Sequence, residues 1–205
     1  MVKVKVCGIT QMEDALLAME LGADFLGFNF WPQSKRVIDP ESAKKIIAEV
    51  KGRTKIIGVF VNQLLEEVLE IASEIGLDMV QLHGDESPDF CADLDLPVIK
   101  ALRLGCETDL CCLDDYADLI WLIDSKTEGF GGSGQSPDYE LVKKAQKKAG
   151  RIILAGGLNP GNVAKAVRDI EPWAVDVASG VEQSPGKKDQ KKMKKFFEAI
   201  KNVAG

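Results

Sequence analysis

The chain has 205 residues, 45% of them apolar and 28% charged, with 26 Lys and Arg against 32 Asp and Glu for a formal charge of −6. This suits a globular protein with one sizeable core, and the acidic balance excludes a general nucleic-acid binder, which needs a basic face. No apolar run reaches the roughly 18–20 residues that span a bilayer, and residues 1–20 lack the basic-then-apolar layout of a secretory signal, so a cytoplasmic protein with no membrane partner is expected.

The chain alternates two patterns to its end. A short apolar run at 2–7 predicts the first strand. Thr10 with Glu13 three residues on reads as a capping box for a helix whose buried face is Met12, Ala15, Leu16 and Met19, closed by Gly22. A strand at 25–30 follows. Asp39-Pro40 then starts a helix along Ala43, Ile46, Ile47 and Val50, with Gly52 as its stop. A strand at 56–61, a helix on Leu65, Val68, Leu69 and Ala72 closed by Gly76, and a strand at 79–82 come next. Ser87-Pro88 marks another helix start before a strand at 98–102. Residues 103–117 carry only Leu104, Leu110 and Leu113, enough for a short or irregular helix. Strands at 119–123, 152–155 and 175–178 complete the set. Asn159-Pro160 predicts the start of a helix on Val163, Ala166, Val167 and Ile170, and Met193, Phe196, Phe197 and Ile200 mark the last one.

Several strands are apolar on nearly every residue, as strands covered on both faces must be. Strands alternating with helices imply a parallel sheet. Eight β/α units favour a closed (β/α)8 TIM barrel over an open doubly wound sheet, in a single domain over 1–205, although barrels ordinarily run to about 250 residues.

The five cysteines, Cys7, Cys91, Cys106, Cys111 and Cys112, form neither a disulfide framework nor a C-x-x-C zinc pattern, and His83 is the only histidine. Cys111 and Cys112 read as small residues packing a helix. Residues 129–134 satisfy G-x-G-x-x-G literally, but they follow the sixth strand and not the first. The next strand also ends in Ala155 where a dinucleotide site needs an acid, so a Gly-rich loop over an active site fits better.

A stronger anion signal lies later. The seventh strand runs into Ala155-Gly156-Gly157 and the eighth into Ala178-Ser179-Gly180. In TIM barrels these two loops often cradle phosphate with backbone N–H groups. Catalytic groups of a barrel stand at the C-terminal strand ends, which shortlists Cys7, Arg36, His83, Asp124 and Asp176. Asp124 closes an apolar run where an unpaired carboxylate is costly. A packed thiol, a surface arginine and a turn histidine are the plain readings of Cys7, Arg36 and His83 taken singly, and Asp176 suits a structural hydrogen-bonded role as well as a contact to ligand.

Taken together, the motifs resemble a known family. Val4-Lys5-Val6-Cys7-Gly8-Ile9-Thr10, Gly27-Phe28-Asn29-Phe30, Pro32-Gln33-Ser34-Lys35-Arg36 and Val80-Gln81-Leu82-His83-Gly84 are similar, in order, to those of phosphoribosylanthranilate isomerases of tryptophan biosynthesis. Ile123-Asp124-Ser125-Lys126, Gly131-Gly132-Ser133-Gly134, Ala155-Gly156-Gly157-Leu158 and Asp176-Val177-Ala178-Ser179-Gly180-Val181-Glu182 continue the pattern, and Pro185-Gly186-Lys187-Lys188-Asp189 completes it. The resemblance covers the whole chain.

It implies a (β/α)8 barrel enzyme that performs an Amadori rearrangement with one acid, one base and no metal, nucleotide or redox cofactor. By the resemblance, Cys7 is the general base and Asp124 the general acid. Arg36 holds the anthranilate carboxylate and His83 and Asp176 adjoin the substrate. Gly156, Gly157, Ser179 and Gly180, with Gly132 and Gly134, hold the phosphate. The base must present a thiolate at neutral pH and the acid must keep its proton there, which partial burial favours. The expected partner is a small phosphorylated substrate carrying a carboxylate, and the expected state a monomer or a homodimer. The nearest rival is the phosphosugar isomerase of histidine biosynthesis, whose two-phosphate site would need paired glycines after the third strand, where Val61-Asn62-Gln63 stands. A metal-dependent epimerase would need more histidines, and a barrel that only binds a phosphorylated ligand has no use for an acid and a thiol.

Overall fold

A computed structural model describes residues 1–116, 119–125 and 138–203. Eight parallel strands close into a barrel in sequence order: β1 (Lys3–Cys7), β2 (Phe25–Asn29), β3 (Lys55–Phe60), β4 (Met79–Leu82), β5 (Val98–Leu104), β6 (Ile120–Ser125), β7 (Ile152–Leu154) and β8 (Ala174–Val177). Closure is made by β1 on β8, with Lys3 opposite Ala174 and Lys5 opposite Asp176. Helices α1 (Met12–Leu21), α2 (Pro40–Val50), α3 (Leu65–Ile75), α4 (Pro88–Ala92), α5 (Tyr139–Ala149), α6 (Val163–Ile170) and α7 (Gln190–Lys201) cover the outside. None of the described helices is long and apolar enough to cross a membrane.

Alternation along each strand divides the core in two. The barrel interior holds Phe25, Ile57, Met79, Ile99, Leu122 and Ile153. The larger layer lies between barrel and helices and contains Val4, Val6, Leu26, Ile56, Val80 and Val175 with the helical stripes. The sequence run at 2–7 thus conceals a split: Val4 and Val6 face the helices while Lys5 is fully buried on the other side.

Several sequence signals resolve differently. Thr10 is not the cap of α1; Gln11 occupies that position without a side-chain bond, and the Thr10 hydroxyl donates to the Gly186 carbonyl instead. Asn159-Pro160 begins a turn, not a helix: Asn159 Oδ1 accepts from the Gly161 N–H (2.8 Å), and α6 starts only after Asn162. Gly52 lies one residue past the Lys51 cap of α2, at φ +82°. Asp39 and Ser87 cap α2 and α4 as read, accepting from the N–H groups of Ser42 and Phe90. Residues 107–114 form a 3₁₀ helix (Glu107–Asp114) on which Cys111 and Cys112 are exposed, so they do not pack the core. A hairpin the sequence pattern missed, β9 (Glu182–Ser184) and β10 (Lys187–Lys188), follows the eighth strand and turns at Gly186, φ +82°.

Helix α7 packs between α1 and α6 through Phe196 and Phe197, an edge-to-face pair with ring centroids 6.2 Å apart. Phe196 is fully buried. Its replacement by Ala should therefore cost about 3–5 kcal/mol in urea unfolding, while Leu64→Ala, at an exposed loop position, leaves the midpoint nearly unchanged.

Candidate active site

Barrel closure brings the C-terminal strand ends round one mouth, and every described residue of the shortlist lies there. Cys7 ends β1, Arg36 stands in the loop between β2 and α2, and His83 follows β4. Asp124 is buried near the end of β6, and Asp176 is in β8. Gly156 and Gly157, after β7, have φ of +85° and +60°, left-handed conformations that favour glycine. Ser179 and Gly180 sit in a 3₁₀ turn, Ser179–Val181. A Cβ on Gly180 would lie 1.8 Å from the Leu158 carbonyl oxygen, so the loops after β7 and β8 meet backbone to backbone. Gly132 and Gly134 lie outside the described residues.

The base side of the mouth is a network of charges. Lys5 Nζ donates to Asp176 Oδ1 at 3.0 Å. Burial disfavours the Lys5 ammonium, but Asp176 and Cys7 outweigh that penalty and raise its pKa above the ordinary value. Arg36 makes a two-pronged pair with Glu182, Nε to Oε1 at 2.8 Å and Nη2 to Oε2 at 2.7 Å. Lys188 Nζ donates to the same carboxylate at 2.9 Å and to the Cys7 carbonyl at 2.6 Å. Burial opposes ionisation of Glu182, yet the hydrogen bonds from Arg36 and the charge of Lys188 keep its carboxyl below the usual range. Burial, conversely, pushes Lys188 down against the pull of Glu182. Glu182 occupies the Nε edge of Arg36; a planar guanidinium offers a second edge, the geometry a carboxylate ligand needs.

The acid side is built from β4, β5 and β6. Asp124 is the strand partner of Arg103. The loop carrying His83 is pinned by buried Glu86, which accepts from the Asn62 and Gly84 N–H groups and from Lys100 Nζ (2.9 Å). Gln81 Nε2 lies 3.1 Å from His83 Nδ1. Donation from the amide leaves the ring proton on Nε2, a buried atom without a hydrogen-bond partner among the described residues. Strands β7 and β8 separate Asp124 from Cys7, so a carboxyl and a thiol stand at the mouth three strand positions apart.

Fold alone does not fix an activity, but comparison with known proteins places the chain. The family model for N-(5'-phosphoribosyl)anthranilate isomerase matches residues 4–199. An N-(5'-phosphoribosyl)anthranilate isomerase of Geobacter sp. (strain M21) is 47% identical over the full length of both chains. The chain belongs to the phosphoribosylanthranilate isomerase family. The crystal structure of the family member from Thermotoga maritima superposes with a TM-score of 0.93 at 44% identity, covering 98% of this chain and 100% of that one. A family structure in complex with reduced 1-(o-carboxyphenylamino)-1-deoxyribulose 5-phosphate superposes with a TM-score of 0.89 at 41% identity, with the same coverage.

Sequence reasoning missed Lys5, Glu182 and Lys188 as site residues. Lys3-Val4-Lys5-Val6-Cys7 does alternate, and in a strand covered on both faces an alternating lysine must enter the barrel. Glu182 and Lys188 had no such signal, because they reach the mouth only through the β9–β10 hairpin.

Burial and the charges of Lys5, Lys100 and Arg103 push His83 down to about 3. The sole histidine should thus show no NMR titration of its ring protons between pH 5 and 8. The unfolded chain binds this proton below about pH 6.5 and the native state does not. Stability should accordingly hold above that pH and fall as pH drops from 6.5 toward 3, and His83→Gln should flatten this part of the urea-unfolding profile.

Proposed function

We infer that the chain converts N-(5-phospho-β-D-ribosyl)anthranilate to 1-(2-carboxyphenylamino)-1-deoxyribulose 5-phosphate in tryptophan biosynthesis. Formally this is an internal redox step, aldose to ketose, and needs no external oxidant. The observation that carries the reading is the pairing of a strand-end thiol and a buried carboxyl across a mouth whose seventh and eighth loops are fused at glycines.

Asp124 donates its proton to the furanose ring oxygen as the C1–O bond breaks, leaving an iminium at C1. The Cys7 thiolate then takes the C2 proton. The C2–H electron pair forms the C1–C2 double bond, and the iminium π electrons move to nitrogen. The resulting enolamine tautomerises to the ketone. Arg36 turns its open edge to the anthranilate carboxylate, while the backbone of Gly156, Gly157, Ser179 and Gly180 takes the phosphate. His83, neutral and carrying its proton on Nε2, suits hydrogen bonding to a sugar hydroxyl; Asp176 adjoins the same space. No metal is called for by this acid–base pair.

In a fluorescence assay on freshly made substrate, wild type should turn over, and Cys7→Ala and Asp124→Asn should each lose about 10²-fold or more in kcat with unfolding curves unchanged. A silent wild type overturns the substrate, and an active Cys7→Ala overturns the base. Gly180→Ala, which must push the β8 loop off the Leu158 carbonyl, should raise KM about tenfold or more, and inorganic phosphate should inhibit it correspondingly less than wild type.

A further inference from the structure

Lys5 is an unusual residue to bury. Its side chain is fully enclosed, and its ammonium donates to Asp176 at 3.0 Å. An ammonium has three protons to give. The space its remaining protons face is shared with the catalytic thiol: a Cβ built on Gly27 would stand 3.2 Å from Lys5 Nζ and 2.9 Å from Cys7 Sγ. Glycine on β2 thus leaves open the contact between β1's lysine and β1's cysteine.

The other charges around the thiol are committed elsewhere. Arg36 from the β2 loop and Lys188 from β10 both bind Glu182 of β9, and Lys188 also binds the Cys7 and Ala178 carbonyls. Asp176 comes from β8, Asp14 from α1 accepts from the Lys188 N–H, His83 faces Lys5 from β4, and Asp124 stands across the mouth on β6. Against Cys7 this sets three cationic side chains, Lys5, Arg36 and Lys188, and two carboxylates, Asp176 and Glu182.

We infer that Lys5, anchored by Asp176, is a positioning residue for Cys7: its ammonium faces the sulfur and holds it as the thiolate that takes the C2 proton. The inference rests on the assignment of Cys7 as base. It assigns Asp176 a role as well, since the carboxylate fixes the ammonium in the barrel and offsets the cost of burying it.

The test is the pH dependence of iodoacetamide labelling at Cys7, read peptide by peptide by mass spectrometry, beside kcat and KM profiles of the same proteins. In Lys5→Met and Lys5→Gln the labelling midpoint should move alkaline by about one unit or more, giving about tenfold less labelling near neutrality. kcat should fall with it and recover at high pH, while KM changes little. Lys5→Arg should keep the wild-type midpoint. The Gln variant retains a donor for Asp176 and guards against misfolding in the Met variant. Unchanged labelling in a folded neutral variant overturns the inference. Should neither fold, wild type decides, because exposed Cys106, Cys111 and Cys112 are labelled in the same spectra, and a Cys7 midpoint no lower than theirs overturns it. Turnover retained by Cys7→Ala removes the base assignment and this inference with it, whereas unchanged labelling in the Lys5 variants removes the inference alone.

Discussion

The pairing of β1 with β8 is the constraint on which this molecule turns. It closes the barrel, and in the same register it sets Lys5 against Asp176. Strand alternation sends their side chains inward, toward the mouth and not toward the helices. An isolated ammonium there would lose several kcal/mol of hydration, so the strand that completes the fold also brings the carboxylate that makes the lysine tolerable. Apolar residues fill the middle of the barrel, and the Lys5–Asp176 pair lies on its C-terminal side.

Glu182 does for the loops what Asp176 does for the strands. One carboxylate binds the guanidinium of Arg36, the ammonium of Lys188 and, at 3.3 Å, the Gly186 N–H. Lys188 carries the tie on to the carbonyls of Cys7 and Ala178. The ends of β1 and β8, the β2 loop and the hairpin are thereby tied to one another. A side chain as long as arginine otherwise loses rotamer freedom on binding; held by one edge, Arg36 presents the other in a fixed direction.

Much of this could be read from the sequence, and what could not has a physical reason. Eight strand–helix units were plain because both faces of each strand are buried, and the strand-end rule placed Cys7, Asp124 and Asp176 correctly at the mouth. Cap signals were less dependable. Thr10 has the right chemistry for an N-cap, but the Gly186 carbonyl, 176 residues away in sequence, competes for its hydroxyl and wins. Asn159-Pro160 satisfies its own turn before α6 begins. Glu182 and Lys188 depend on a hairpin too short to leave a pattern of its own.

Net charge is a poor guide to what this mouth attracts. The chain carries −6 overall, and a substrate bearing a phosphate and a carboxylate is itself an anion. At physiological ionic strength, charges beyond about 8 Å are largely screened, so the surface acids weigh little once a ligand is at the barrel end. At that end Arg36 stands near Lys5 and Lys188, both of them buried, and the three engage the two carboxylates Asp176 and Glu182. The backbone N–H groups of the fused β7 and β8 loops add donors without adding a titratable group. A cluster of fixed positive charge thus stands within an acidic protein, and on the inference drawn above it is this cluster, not the net charge, that bears on the sulfur beside it.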